Sequence, residues 1–181
     1  WGDMSIFELF ESKVRELIGT ESLPKVLVAL SGGADSTAML FLFLRYREKY
    51  PMDLCALHVH HGIRGSEADR DLDFCRELCQ RQKVSFRSAF VQAPEYAAKE
   101  KKSLEEAARI LRYRELERVA EEERCTHIAT AHNADDQLET LLFRLVRGCG
   151  TKGAAGIPEK RGRFLRPMLS FTKEEILAFC E

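Results

Sequence analysis

The chain has 181 residues, 45% hydrophobic and 31% charged, with 28 basic and 29 acidic side chains and a formal net charge of −1. This supplies enough apolar surface for a real core, excludes a disordered chain, and excludes a uniformly basic nucleic-acid binder. The length predicts one domain of ordinary size, and the longest apolar run, Ala38 to Leu44, is too short to span a membrane.

Trp1-Gly2-Asp3 ahead of Met4 reads as an appended remnant, which puts the native start at Met4 and the domain at 4–181. Ser5 to Ile18 carries apolar residues at Ile6, Leu9, Phe10, Val14, Leu17 and Ile18, the spacing of one helix face. Its charges, Lys13 and Arg15 among them, do not fit a secretory signal. Lys25 to Leu30 is a short β-branched apolar run, the pattern of a strand buried on both faces. A helix follows to about Tyr50, stopped by Pro51. Met52 to Val59 predicts a second strand, Ser66 to Gln82 an acid-rich helix, and Val84 to Val91 a third strand. Gln92 to Lys102, with Pro94 and the charge run Lys99 to Lys102, reads as an exposed, mobile loop.

A helix is expected from Ser103 to about Glu123, a fourth strand over Thr126 to Ala131 with His132-Asn133-Ala134 as its exit turn, and a helix over Asp135 to Arg147. Ser5/Glu8, Ser103/Glu106 and Thr172/Glu175 are three candidate capping boxes. Five glycines between Gly148 and Gly162 argue for a flexible segment, and Phe164 to Leu169 for a fifth strand. The helix opening at Thr172 meets the end of the chain, which fits either a piece of a longer protein or a short terminal helix docking on the body. Alternating strands and helices predict an α/β fold: a parallel twisted sheet of about five strands with helices on both faces, Rossmann-like. The loops after Leu30, Val59 and Ala131 then converge at the carboxyl ends of the strands.

Six cysteines, Cys55, Cys75, Cys79, Cys125, Cys149 and Cys180, include no C-x-x-C pair. Cys75 and Cys79 share a helix face but lack a second liganding pair, so idle thiols in a reduced, cytoplasmic protein are expected. Charge is uneven: Arg144, Arg147, Lys152, Lys160, Arg161, Arg163, Arg166 and Lys173 are accompanied by the single acid Glu159. This basic tail is a candidate nucleic-acid-facing surface.

The first converging loop is Ser31-Gly32-Gly33-Ala34-Asp35-Ser36, set between the buried strand and a helix. Glycines let backbone amides close on a phosphate, and the helix end points its free N–H groups to the same place. It lacks the lysine of G-x-x-x-x-G-K-[ST]. Asp35 there would repel a phosphate unless a cation bridges them, so it is a candidate Mg²⁺ ligand. The hexapeptide resembles the PP-loop of the ATP pyrophosphatase superfamily.

The second loop, His58-x-His60-His61-Gly62-x-Arg64-Gly65, makes His60 a candidate for stacking on or bonding to an adenine; a strand-end histidine satisfied by backbone is the plainer alternative. On the helix after Ser103, Arg109, Arg112 and Tyr113 lie on adjacent turns, where guanidiniums reach a phosphate unless Glu105, Glu106 and Glu115 engage them in ion pairs. In His132-Asn133-Ala134-Asp135-Asp136-Gln137-x-Glu139, Asp136 and Glu139 share a face at a helix start. They suit Mg²⁺ or a substrate ammonium, or are ordinary capping acids.

SGGADST, HVHHGIRG with SEADRD, SLEEAARILRYREL, TAHNADDQLETLLFRLVRG and LRPML, in that order, resemble the bacterial tRNA(Ile)-lysidine synthetase family over roughly residues 23–178. His60 stands where most relatives have asparagine. The resemblance implies that ATP adenylates the C2 oxygen of the wobble cytidine of an isoleucine tRNA with a CAU anticodon, and that the ε-amine of free lysine displaces AMP. It implies Ser31 to Ser36 at the pyrophosphate end of ATP and Arg112, with Arg109, facing the nucleotide. Asp136 and Glu139 would bind lysine or metal, with His132 beside them. Further tRNA-gripping domains are expected in such proteins. Rival readings are another PP-loop tRNA-modifying enzyme of the thiolase type and an ATP-sensing module without turnover.

Overall fold

The structure, a computed structural model, describes residues 5–19, 23–63, 66–146 and 156–181. Trp1 to Met4, Arg64 and Gly65, Arg147, Cys149, Lys152 and the rest of 147–155 lie outside the described residues, so the expected start at Met4 and most of the glycine-rich segment do too.

The order of elements is α1 Ile6–Ile18, β1 Lys25–Ala29, α2 Ala34–Lys49, β2 Asp53–His60, α3 Ser66–Arg81, β3 Ser85–Phe90, α4 Ala93–Glu100, α5 Leu104–Glu122, β4 His127–Ala129, α6 Ala134–Val146, β5 Lys160–Arg161, β6 Phe164–Leu165 and α7 Lys173–Cys180. One sheet runs β3-β2-β1-β4-β6-β5; all its pairings are parallel except β5 with β6. The chain builds outward from β1 to β3, then returns to β1's other side with β4. The strand order therefore reverses between β1 and β4, where the crevice of such sheets opens.

β1 shows why the sheet is buried twice. Val26 and Val28 face one core with α1, α2, α3 and α7; Leu27, between them, faces a second core under α5, with Leu57, Leu116 and Ile128. α1, α2, α3 and α5 each bury a stripe against one of these layers, as Phe10 against Phe43 in an edge-on ring contact at 4.9 Å illustrates for α1 and α2.

Three expectations need correction. Residues 93–100 form α4: Pro94 sits in its first turn, where its missing N–H costs nothing, and Lys101 ends it in the left-handed region at φ 54°. The expected fifth strand shrinks to Phe164–Leu165, and the residues before it supply a hairpin partner turned at Gly162, φ 59°. Ser5 and Ser103 accept from the amides of Glu8 and Glu106, but only Thr172 and Glu175 complete a reciprocal capping box.

Candidate active site

A cavity of about 630 Å³ opens at the switch point, bordered by the ends of β1, β2 and β4 and by α5. Its floor is the loop after β1. Gly32 turns at φ +96°, and a Cβ there would meet Asp71 of α3 at 3.0 Å, so the loop closes under α3 only with glycine. The two serines hold it shut: Ser31 N donates to Ser36 Oγ at 2.9 Å, and the two hydroxyls are 3.0 Å apart. Gly33 caps α2 without a side-chain bond, which leaves the first-turn amides without the partner a serine cap supplies. Those amides and the helix dipole make the loop an anion cradle.

Asp35 projects from that first turn. Its Oδ2 accepts from Asn133 Nδ2 at 3.2 Å and from Lys173 Nζ at 3.1 Å, while its Oδ1 is buried with no partner. A carboxylate oxygen held at a cradle's edge and left without a donor fits a hard cation. Mg²⁺ takes few protein ligands and completes its shell with water and phosphate, so the absence, among the described residues, of any group of three metal-competent side chains does not conflict with that fit. Asp136 lines the same cavity but is tied down: Asn133 N donates to its Oδ2 at 2.9 Å, and its own amide donates to Asn133 Oδ1 at 3.0 Å. Asn133, buried, thus couples the start of α6 to Asp35. The sequence reading assigned no role to Asn133 or Asp71, and read Lys173 as part of a basic tail.

The histidine loop is a wall of the cavity. His58 Nδ1 donates to Leu30 O at 2.8 Å, tying β2 to the root of the phosphate loop, and burial pushes its pKa down. His60 Nδ1 accepts from Gly62 N at 3.0 Å, so Nε2 carries the proton and meets Asp69 Oδ1 at 3.1 Å; the ring lies against Phe90. Both His60 nitrogens are therefore committed within the protein, which corrects the expected hydrogen bond to an adenine. His61 also borders the cavity; its Nδ1 is buried without a partner, and burial and the neighbouring Arg112 lower its pKa.

His132 lies across the cavity, its Nδ1 3.0 Å from Thr130 Oγ1. Burial, helped by the charges of Arg166 and Arg112, pushes its pKa down to about 4. It is a neutral imidazole near pH 7. Arg112 reaches the same cavity from α5, with its Nε buried and unpartnered, while Arg109 borders a second cavity of about 730 Å³ beside the first.

Glu139 borders neither of the two cavities; it is exposed on α6, about one turn beyond Asp136. Nor do the described side chains of the basic tail form one surface. Arg166 is buried and donates to Pro158 O, Lys160 to Leu17 O, and Arg163 pairs with Glu121. Arg161 remains exposed, and the Arg144 side chain, Arg147 and Lys152 lie outside the described residues.

The chain matches the family profile of the PP-loop domain, an ATP-binding family, over residues 7–181. It is 38% identical over 176 residues to the tRNA(Ile)-lysidine synthase of Geobacillus kaustophilus, covering 93% of this chain and 38% of that protein. With the enzymes of the same name from Clostridium acetobutylicum and Thermosipho africanus it shares 37% and 38% identity, over 87% and 97% of this chain and 34% and 41% of theirs. The chain thus spans well under half the length of these curated relatives. Among solved structures it resembles the U34-tRNA thiolase NcsA of Methanococcus maripaludis, with a TM-score of 0.76 at 22% identity, covering 94% of this chain and 62% of that one. It also resembles the NH3-dependent NAD synthetase of Campylobacter jejuni, with a TM-score of 0.61 at 18% identity and coverage of 96% and 69%. These two likenesses are likenesses of fold. A glycine-turned anion cradle at the switch point of a parallel sheet and a profile match over nearly the whole length agree: the chain belongs to the PP-loop family.

Proposed function

We propose that residues 4–181 form the catalytic, ATP-using domain of an enzyme that makes lysidine in a CAU-anticodon isoleucine tRNA. The names of the relatives at 37–38% identity support the reaction. The observation that carries it is Asp35, which lines the cavity at the edge of the anion cradle and keeps a buried oxygen without a partner.

In this reading the C2 carbonyl oxygen of the cytidine attacks the α-phosphorus of ATP and pyrophosphate leaves. The ε-amine of lysine then adds at C2, AMP leaves with the oxygen, and the amine's second proton goes to solvent or base. The loop from Ser31 to Ser36 holds the departing pyrophosphate through backbone amides. Asp35 would hold Mg²⁺, which supplies charge neutralisation to the phosphates when bound. Arg112 faces the nucleotide from α5 as a rigid cation. His132, neutral and buried, offers a lone pair at the cavity wall rather than a charge.

The test is formation of AMP and lysidine by the full-length protein. Turnover is expected only with ATP, the CAU-anticodon tRNA and lysine together. AMP production that continues at the same rate with lysine or the tRNA omitted overturns the reading.

A further inference from the structure

The turn that ends β2 is clamped from two sides. On the side of β3 and α4 the clamp is backbone: Val91 N donates to His60 O at 2.9 Å, and Ala93 N donates to His61 O at 3.1 Å. On the other side it is a single ring. His60 Nδ1 accepts from Gly62 N at 3.0 Å, two residues on, and its Nε2–H donates to Asp69 Oδ1 at 3.1 Å. The residue is 9% exposed, and the ring lies against Phe90, its register partner on β3, which limits its room to rotate. The turn so held carries part of the wall of the first cavity, since His61 and Ile63, on either side of Gly62, both border it.

Only a neutral imidazole makes this clamp. A ring nitrogen accepts an N–H through its lone pair, and a second ring proton occupies that lone pair. Two N–H groups then face each other at Gly62. At the other end of the ring the Asp69 carboxylate favours the imidazolium, so the two ends respond oppositely to acid. The charged and titratable groups that face this ring and its neighbours are Asp69 and Asp71 on α3, His58 on its own strand and His61 on the turn, with Arg112 of α5 beside His61; β3 presents the uncharged Phe90.

We propose that His60 is a positioning residue for ATP: neutral, it holds the β2 turn so that His61 and Ile63 complete the cavity wall, and on taking a second ring proton it releases the turn and the nucleotide is held less tightly. The inference rests on the ATP-binding part of the function proposed above and not on the substrate that ATP activates. Linkage fixes the sign. The closed turn binds one proton fewer than the released turn, so ATP, which selects the closed turn, binds more weakly as pH falls through the titration of His60.

Equilibrium titration of the full-length protein with Mg²⁺-saturated ATP from pH 7.5 to pH 5.5 is expected to show a His60-dependent fall in affinity of about fivefold, the size of one hydrogen bond. Two substitutions separate the acceptor from the charge. His60→Leu removes the acceptor and should weaken ATP binding about fivefold already at pH 7.5. His60→Asn restores it, because an asparagine oxygen accepts the N–H two residues on and does not titrate. Its affinity should recover at pH 7.5, and the His60-dependent fall should vanish. Comparing wild type with His60→Asn cancels the titration of ATP itself and of His58, His61 and His132. Asp69→Asn removes the carboxylate that favours the imidazolium and is expected to move the fall to lower pH. Circular dichroism at each pH establishes that the fold persists. A pH profile identical in wild type and His60→Asn overturns the proposal. In protein carrying isotopically labelled glycine, the Gly62 amide resonance should move together with the His60 ring titration; a Gly62 amide that ignores that titration also overturns it. Failure of the wild-type protein to bind ATP at any pH overturns the function instead, and the Gly62 resonance then decides the proposal alone.

Discussion

Asp35 and Lys173 show what a single contact adds to a loop. The phosphate loop lacks a lysine of its own, and the fold delivers one from 138 residues away, the first residue of α7. The pair is partly exposed, 24% for Asp35 and 47% for Lys173, so it contributes about 1 kcal/mol or less to folding. Its consequence lies with the nucleotide. A phosphate arriving at the cradle competes for the ammonium, and the freed carboxylate gains a use for its buried oxygen. Asp35→Asn is therefore expected to lower the ATP-dependent rate on the order of 100-fold, with a denaturation midpoint close to wild type. Lys173→Met should weaken ATP binding about tenfold, ~1.4 kcal/mol, in equilibrium titrations at saturating Mg²⁺. Unchanged affinity would mean that the lysine only neutralises Asp35. Asp35 was legible in the sequence, because its setting is local, but its contact with Lys173 was not, since a partner so far along the chain is a product of packing α7 on α2.

At the scale of elements, the sequence reads best where the signal fits within one strand or one helix turn. The strand–glycine–helix unit and the cap at Ser103 are of that kind, and Ser103→Ala is expected to cost about 1 kcal/mol in urea denaturation. The same signal misled at α4, where a proline and a run of charges resemble a loop, although a proline in a first turn is compatible with a helix. Spacing alone could not decide which α5 arginines pair with the helix's own acids: Arg118 pairs with Glu115 and Glu122, whereas among the described residues Arg109 and Arg112 pair with none. The turn that ends β2 makes a sharper case. Gly62 sits at φ +73°, and an added Cβ would lie 2.6 Å from Val91 O, a backbone atom that cannot step aside. Gly62 N also supplies the bond that fixes the His60 tautomer. Gly62→Ala is expected to destabilise the fold by about 2 kcal/mol or more, seen as a lowered denaturation midpoint, with the loss concentrated in protection of the β2 end in hydrogen exchange.

The whole sheet concentrates its titratable risk at one edge. Because every parallel strand ends on the same side, the exits of β2 and β4 bring His58, His61 and His132 together around one cavity. Burial lowers the pKa of all three, His132 to about 4 from an ordinary 6.5, with cationic Arg112 adding to the effect on His61 and His132. The direction of the pH dependence follows. Between about 6.5 and about 4 the unfolded chain binds a proton at His132 that the folded chain refuses, so stability rises with pH across that window and levels off above it. His58 and His61 act in the same direction. The fold is thus expected to lose stability on acidification from pH 7 while its lowered carboxylates, such as Glu122 and Glu123 beside Arg87, are still ionised. Urea midpoints measured from pH 7.5 to pH 4.5 check this, and His132→Gln should flatten the slope because glutamine has nothing to protonate. An unchanged slope in that variant would place the acid sensitivity elsewhere. The same arrangement that makes the edge vulnerable to acid serves the proposed chemistry, since a wall of uncharged rings lets an amine approach an activated base without meeting a second cation other than Arg112.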